Sequence, residues 1–554
     1  MSEDYIAILV VSLDECFYPF SLKMREDEDE RQAMFTSTLE DPELFVSYLK
    51  TFLPRFGCFF CTVGTTKVDP LEVPLFYQEQ SQSLVKVSAI GPMAKVYLRY
   101  GSTKLLGPQF GDPAVRNYAV SVLENLSNEE ICSFLVQLVQ ALQYEPRIES
   151  ALLQFLVNKA SVDQSLGYYL YWHIKAGLEV AFFAVKLQFA MNEFRKTCKS
   201  HVMTALSKQE KLVLSLANIA RGIRQVKQKA ERQKQLISLL SELESFESVA
   251  LPVDPRCEVN GLELTKCKYM DSKKLPLWLV FKNTDRSVEE HTYIIFKTGD
   301  DLRQDILTLE MFSLMNKTWL RHNLDMKMTI YSCVATGDSS GMLQVVWNSE
   351  TLSNICKASG GGVAVFKEDT LINWLMHETQ TGENYKGALD NFTRSCAGYC
   401  VATCLLGIGD RHNDNIMLKR NGQFFHIDFG HILGHFKSKF GIKRERARFV
   451  LTPDMAFVMG GTHDPRFRSF EILCAQAFNQ VRAEATKYLN LMSLMISSGL
   501  SEVSSPADVR YMHDIMLLNL PDEHAAKEFT KWIHDSLHTK STQFNHAIHT
   551  WVHK

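Results

Sequence analysis

No sign of charge dominates this chain: 60 Lys and Arg stand against 63 Asp and Glu, a formal charge of -3, so no global basic field argues for nucleic acid as a partner. An anionic partner must be met by a local patch. Glycine and proline are scarce, 28 and 16 in 554 residues, which excludes collagenous and low-complexity architectures. No run reaches the roughly eighteen apolar residues a bilayer span requires. The apolar stretch from Ile6 to Leu13 is followed by acidic residues and lacks a basic leader, so neither secretion nor membrane spanning is expected. Framework cysteine spacing is missing too: the thirteen cysteines are odd in number and scattered, the pattern of reduced thiols in a cytosolic protein. Cys58 and Cys61 form a lone CxxC, and Cys396, Cys400 and Cys404 recur every four residues, one face of a helix. Both sets read as buried small hydrophobes rather than metal ligands.

What is present is ordinary globular material, 46% apolar and 22% charged, in a length that suits two to four domains at roughly 100–200 residues each. Residues 1–104 mix β-like runs with helix-like stretches, hold an acidic run at residues 26–30 that reads as a solvated loop, and carry no nameable motif. From Asp112 the pattern changes. Asp112 and Pro113 supply an N-cap and an N1 proline, and Ser127 with Glu130 makes a capping box. Leu135, Leu138 and Leu142, then Leu152, Leu153 and Leu156, then Leu166, Leu170 and Ile174 follow at helical spacing, which predicts an array of antiparallel helix pairs. Six Lys or Arg in residues 221–234 read as the solvated face of a helical stretch. Near residues 250–260 the pattern turns β-like, with strands expected over 277–281 and 292–296. The pattern gives an α+β fold class, a helical solenoid-like domain over 105–255 followed by a second domain over 256–554.

Phosphoryl transfer needs a lysine on the nucleotide phosphates, a cation held by an acid and an amide, and a group that manages the nucleophile's proton. Lys297 ends a strand-like run, and Asp305 follows on an amphipathic helix from which it could orient that lysine or the nucleotide site. About 110 residues on come Asp410-Arg411-His412, Asn415 and then Asp428-Phe429-Gly430. Asn415 and Asp428, thirteen residues apart, can face one cation across a short hairpin, and such hard oxygen ligands suit Mg²⁺ carrying ATP. DRHxxN followed by DFG, downstream of a strand lysine, is a specific signal.

With these motifs stand residues 299–305 (Gly-Asp-Asp-Leu-Arg-Gln-Asp), 395–400 (Ser-Cys-Ala-Gly-Tyr-Cys) and 443–446 (Lys-Arg-Glu-Arg). Together they resemble the helical and kinase domains of class I phosphoinositide 3-kinases from about Asp112 to the C-terminus, which implies a two-lobed kinase-like catalytic fold for the second domain. The resemblance implies His412 as proton acceptor or transition-state stabiliser supported by Asp410, Asn415 and Asp428 as metal ligands, Lys297 as a phosphate contact, and His431 as a second histidine near the γ-phosphate. It implies a phosphate-covering loop at Met270, Asp271, Ser272, Lys273 and Lys274, which has no glycine and must act through a hydroxyl and a charge. Adenine would lie among Met270, Trp278, Tyr331, Met417 and Ile427, its edge read by backbone groups of Gln344 and Val346; the family usually has Glu where Gln344 stands.

Substrate choice is expected in the segment after DFG, where Lys437, Lys439, Lys443, Arg444, Arg446 and Arg448 accompany Glu445. Such a cluster suits a polyphosphorylated headgroup, and the likeness to class I enzymes implies phosphatidylinositol 4,5-bisphosphate as the lipid, 3-phosphorylated at a membrane surface. Ala447 and Arg448 replace the usual Val-Pro. Phe544, Ile548, Trp551 and Val552 gather on one face of an expected membrane-contacting C-terminal helix, flanked by His546, His549 and His553. Cytoplasmic location with recruitment to the plasma membrane follows from the same likeness. Residues 1–104 match none of the adaptor-binding, Ras-binding or β-sandwich regions of the family, so binding of a regulatory subunit through an adaptor region is not expected, while inhibitory contacts to the helical and kinase domains could survive without it. Two alternatives stay open: a serine/threonine kinase of the related large-kinase family, and a non-catalytic membrane scaffold.

Overall fold

The computed structural model describes residues 101–538 apart from residues 244, 286, 288, 338, 361–366, 380–381, 437, 440–441 and 444–446. These residues fall in one compact unit, Arg99–Lys554. The CxxC, the acidic run, the β-like runs of residues 1–100 and the C-terminal amphipathic segment lie outside the described residues. Among the described residues no helix is long and apolar enough to cross a membrane.

The caps read from sequence start the helices they were expected to start. Asp112 accepts from Ala114 N at 2.7 Å ahead of α1 (Pro113–Leu123), and Ser127 and Glu130 cap each other across α2 (Asn128–Cys132). After α3 (Leu135–Ala141), Ser150 caps α4 (Ala151–Val162) and Asp163 caps α5 (Gln164–Gly177). Helix α5 is apolar nearly all round: Leu166, Tyr168, Leu170, Tyr171, Trp172 and Ile174 are buried, so the helix must lie between layers rather than on a surface. It does, touching α3, α4, α6 (Ala184–Thr197) and the sheet described below. The basic segment 221–234 is not one helix. Helix α7 (Ser200–Gln225) ends there and α8 (Lys229–Ser241) begins, with Arg232 closing the break on the Val226 carbonyl at 2.8 Å.

A seven-stranded antiparallel sheet follows: β1 (Ser245–Leu251), β2 (Asp254–Leu262), β3 (Lys268–Tyr269), β4 (Leu277–Asn283), β5 (His291–Thr298), β6 (Cys333–Gly337) and β7 (Ser340–Gln344). Its order is β1-β2-β4-β5-β7-β6, with β3 pairing β4. Strand β1 already belongs to this sheet and forms a hairpin with β2, so the turn from helix to strand comes at Ser245 and a boundary at 255–256 would cut the hairpin. In β5, Ile294, Phe296 and Thr298 are buried while Tyr293, Ile295 and Lys297 face the other way and are half-buried. Cross-strand pairing puts Trp278 opposite Ile295 on that second face.

The second lobe is built on α9 (Arg303–Arg321) and, after β8 (Ser349–Thr351), α10 (Leu352–Ala358) and α11 (Thr370–Thr379), on the long α12 (Glu383–Leu405). Cys396, Cys400 and Cys404 lie buried in the core, as their helical spacing suggests. Strands β9 (Ile416–Lys419) and β10 (Phe424–His426) form a hairpin against β8, and a small ladder, β11 (Ser438–Lys439) with β12 (Ile442–Lys443), comes after. Helices α13 (Pro453–Val458), α14 (Pro465–Ala483), α15 (Ala485–Leu494), α16 (Pro506–Ile515) and α17 (Asp522–His538) complete the lobe.

A buried charge cluster fixes α9 in this lobe. Glu484, 1% exposed, accepts from Lys487 Nζ at 2.5 Å, from Arg321 at 2.8 Å and from Thr318 at 3.0 Å. Burial favours the neutral acid, but Lys487 and Arg321 outweigh it and hold the carboxyl below its ordinary 4.5. A carboxyl so depressed adds stability that is complete above about pH 4.5 and fades as pH falls through its folded value. Glu484→Ala, which strands two cations, is expected to cost about 3–5 kcal/mol at pH 7 in urea denaturation. The gap to wild type should shrink below pH 4.5; a gap that does not depend on pH would show that the cluster contributes packing alone.

Candidate active site

Lys297 stands on the cleft face of β5, opposite Gly341, where any Cβ would lie 2.3 Å from the Val334 carbonyl oxygen. The strands therefore close tightly beside it. Burial alone would pull its ammonium down, yet Asp305, Asp428 and Asp300 together shift it above its ordinary value. Asp305, in the first turn of α9, is pushed up to about 6 by burial, with Lys297 opposing and Asp428 adding. The pair is unequal because one ammonium serves three acids.

The expected hairpin carries the two residues expected to ligate the cation. Ile416 pairs with His426, and Ile427 N–H donates to the Asn415 carbonyl at 3.0 Å, so the ladder ends with Asn415 on one strand and Asp428 one residue past its partner. Asn415 Nδ2 donates to the Asp410 carbonyl at 3.0 Å and lies 3.2 Å from His412 Nε2, which leaves its amide oxygen as the atom that can ligate a cation. His412 Nδ1 is 3.9 Å from the Asp414 carboxylate. Asp410 and Asp428 both have left-handed backbone, φ 56° and 61°, a strain that non-glycine residues hold only where their surroundings impose it.

Arg411 imposes it. Its buried guanidinium donates to the Gly409 carbonyl at 2.9 Å, the Ile427 carbonyl at 2.7 Å and the Asp428 carbonyl, bolting the catalytic loop to the DFG segment. From α9, Gln304 Nε2 donates to the Phe429 carbonyl at 2.7 Å and Phe429 N–H donates to Asp305 at 3.3 Å. Arg411 and Gln304 stand inside the motifs but have no role assigned by sequence alone. Both stand in strongly polar stretches, residues 409–415 and 299–305, where composition gives no signal that picks them out.

Trp278 and Val346 line one cavity of about 270 Å³ with Val345, Trp347 and Trp374, at the edge of the adenine cleft implied by the resemblance. None of the catalytic-loop residues line it. Met417 within β9 and Ile427 just past β10 are half-buried, and Met270 N–H donates to the Pro276 carbonyl across the phosphate-covering loop at 2.7 Å. Gln344 departs from expectation in part: its N–H already donates to the Ser332 carbonyl at 2.9 Å, because β7 continues its pairing to this residue, so only its carbonyl can read a base edge. Tyr331 is buried, its hydroxyl lacks a hydrogen-bond partner among the described residues, and burial, then the Asp305 charge, raises its pKa well above the ordinary value. Ser272 and Lys273 are exposed, whereas Lys274 bonds to the Gly299 carbonyl and lies 3.5 Å from Asp300.

These residues fit Mg²⁺ and a nucleotide. Among the described residues no three His, Cys, Asp or Glu could enclose a metal by themselves, and an acid plus an amide is the donor set that leaves most cation positions to phosphate and water. His431 Nδ1 is 3.1 Å from Glu502, a carboxylate the sequence reading had not paired with it. Of the headgroup candidates, Lys437, Arg444 and Arg446 lie outside the described residues, as do the side chains of Lys439 and Lys443. Arg448 is placed: its guanidinium sits 4.3 Å over the Trp532 ring, held against α17.

Residues 291–505 match the family described as phosphatidylinositol 3- and 4-kinase, and residues 92–207 match the accessory (PIK) domain of the phosphoinositide 3-kinase family. Phosphatidylinositol 3-kinase 1 of Dictyostelium discoideum is 44% identical over 455 residues, 82% of this chain and 29% of that protein. Phosphatidylinositol 3-kinase 2 of the same organism is 41% identical over 451 residues, 81% of this chain and 24% of that protein. Human phosphatidylinositol 4-phosphate 3-kinase C2 domain-containing subunit beta is 40% identical over 451 residues, 80% of this chain and 27% of that protein. The chain spans less than a third of the length of each of these relatives.

Arg411→Lys keeps the charge but cannot span three carbonyls. It is expected to lose about 2–4 kcal/mol of stability in urea denaturation, since buried acceptors are left unmade. A midpoint equal to wild type would show that the loops hold themselves.

Proposed function

We propose, on its likeness to the phosphoinositide 3-kinase family, that the chain transfers the γ-phosphate of ATP to the 3-hydroxyl of a phosphoinositide lipid. The observation that carries this reading is the joint placement of Lys297, Asn415 and Asp428 around one cleft, with Arg411 locking the two loops that bear the cation ligands. Asn415 and Asp428 would hold Mg²⁺, which would supply positive charge against the negative charge of the nucleotide phosphates. Lys297, kept charged by Asp305, Asp428 and Asp300, holds the phosphates. His412 takes or shares the proton of the attacking hydroxyl, a role suited to an imidazole, which titrates near neutral pH. Asn415 orients that ring through its amide. His431, steadied by Glu502, stands by as the second histidine. As part of the same reading the protein is cytoplasmic and works at the plasma membrane.

For the acceptor we infer phosphatidylinositol 4,5-bisphosphate, on the density of cations between Lys437 and Arg446. A second reading, the 4-monophosphate, draws on one observation: Arg448, which enlarges that basic segment, is committed to Trp532 rather than to the loop. The name of the human relative, which acts on the 4-phosphate, points the same way.

The test incubates the full chain with ATP, Mg²⁺ and liposomes carrying phosphatidylinositol, its 4-phosphate or its 4,5-bisphosphate, beside Asp428→Asn. A 3-phosphorylated product, strongest from the bisphosphate and reduced at least ~10³-fold in the variant, is expected. Product mainly from the 4-phosphate would select the second reading. Intact ATP binding without any lipid product would leave a protein kinase or a scaffold.

A further inference from the structure

The phosphate-covering loop contains no glycine, so it cannot wrap a phosphate with its own backbone as Gly-rich loops do. Its geometry is set from outside, and the outside partner is the accessory helical layer. Arg224, in the last turn of α7, donates through Nε and Nη2 to the Lys274 carbonyl at 3.1 and 2.9 Å, and through Nη2 to the Thr298 carbonyl. Thr298 directly follows Lys297. One guanidinium thus spans the end of the phosphate-covering loop and the end of the strand that carries the phosphate-binding lysine.

Further ties run along the same seam. Gln233 Nε2 donates to the Cys267 carbonyl at 2.9 Å, the Tyr269 hydroxyl donates to the Lys229 carbonyl at 3.4 Å, and Lys229 pairs with Asp271. The Lys229–Asp271 pair is 66% and 58% exposed, and an ion pair so open to water contributes little. Arg224 is partly buried, bidentate on one carbonyl and shared with a second, which makes it the strong member of the set. The backbone confirms how closely it approaches: Gly299 has φ +80°, and a Cβ there would lie 3.2 Å from Arg224 Nη1 and 3.4 Å from Lys274 Nζ.

We propose that Arg224 is a positioning residue for nucleotide binding, through which the accessory helices set the distance between the phosphate-covering loop and Lys297 and so the affinity for the nucleotide's phosphates. This inference rests on the kinase reading of the site. Loss of the span would let the loop drift from the lysine while the cleft wall formed by Trp278 and Val346 stays in place.

The experiment compares wild type, Arg224→Gln and Arg224→Lys in the full chain, measuring Kd for ATP·Mg²⁺ and for adenosine by calorimetry, then KM for ATP and kcat. For Arg224→Gln the ATP Kd and KM are expected to rise about tenfold, with adenosine affinity and kcat at saturating ATP within about twofold of wild type. Arg224→Lys, which can reach one carbonyl, should fall between. Equal weakening of ATP and adenosine would mean a merely structural role and would overturn the proposal, as would ATP affinity unchanged in both variants. A folded wild-type chain that fails to bind ATP·Mg²⁺ would overturn the kinase reading itself, and it would do so before any variant is compared.

Discussion

The candidate active site depends on one buried guanidinium. Arg411 gathers the carbonyls of Gly409, Ile427 and Asp428, three points on two loops that are otherwise joined by a hairpin of only a few residues. Taking such a charge out of water is costly, and burial pulls the group toward neutrality. Asp428 and then Asp410 supply the opposing field, so the acids of the site help keep their own clamp charged. Because the clamp grips Asp428 by its backbone, the carboxylate is not consumed by it and remains exposed toward the cleft. The left-handed backbone at Asp410 and Asp428 is the visible strain of that arrangement.

Helix α9 carries the constraint outward. Its first turn holds the DFG segment through Gln304 and Asp305, and its last turn enters the Glu484 cluster through Thr318 and Arg321. A displacement at one end must be felt at the other, since a packed helix of this length moves as a body. Precision at the site therefore draws on a cluster with no chemistry of its own.

What the sequence made legible was local. Caps at Asp112 and Ser127, the cysteine face of α12 and the hairpin linking Asn415 to Asp428 each follow from spacing within a few turns or strands, where geometry is nearly determined by residue type. Lys297 was legible because a strand lysine followed by DRHxxN and DFG forms a known set. Hidden were the contacts made across long stretches of chain: Arg224 with a loop 50 residues on, Thr318 with Glu484, Arg448 with Trp532. A charge run reads as a solvated face when only its neighbours in sequence are considered. Arg224 lies in such a run and is nevertheless engaged, because the pairing of backbone carbonyls with a distant guanidinium leaves no periodic trace.

The same reasoning bears on why a helical domain without chemistry lies beside the catalytic lobe. A sheet must cover its apolar face, and in β4 and β5 that face carries Leu277, Leu279, Phe281, Ile294 and Phe296, all inaccessible to solvent. Helix α7 touches β1 and β5, α8 touches β3, and α5 touches β2 and β6. The accessory helices are thus a missing layer of the kinase sheet, and the boundary between the domains is drawn through one shared core. The opposite face, with Trp278, Ile295 and Lys297 half-buried, is left to the cleft. Helices of the preceding domain thus pack against the same sheet that carries Lys297, so the site's lysine strand is held from both domains.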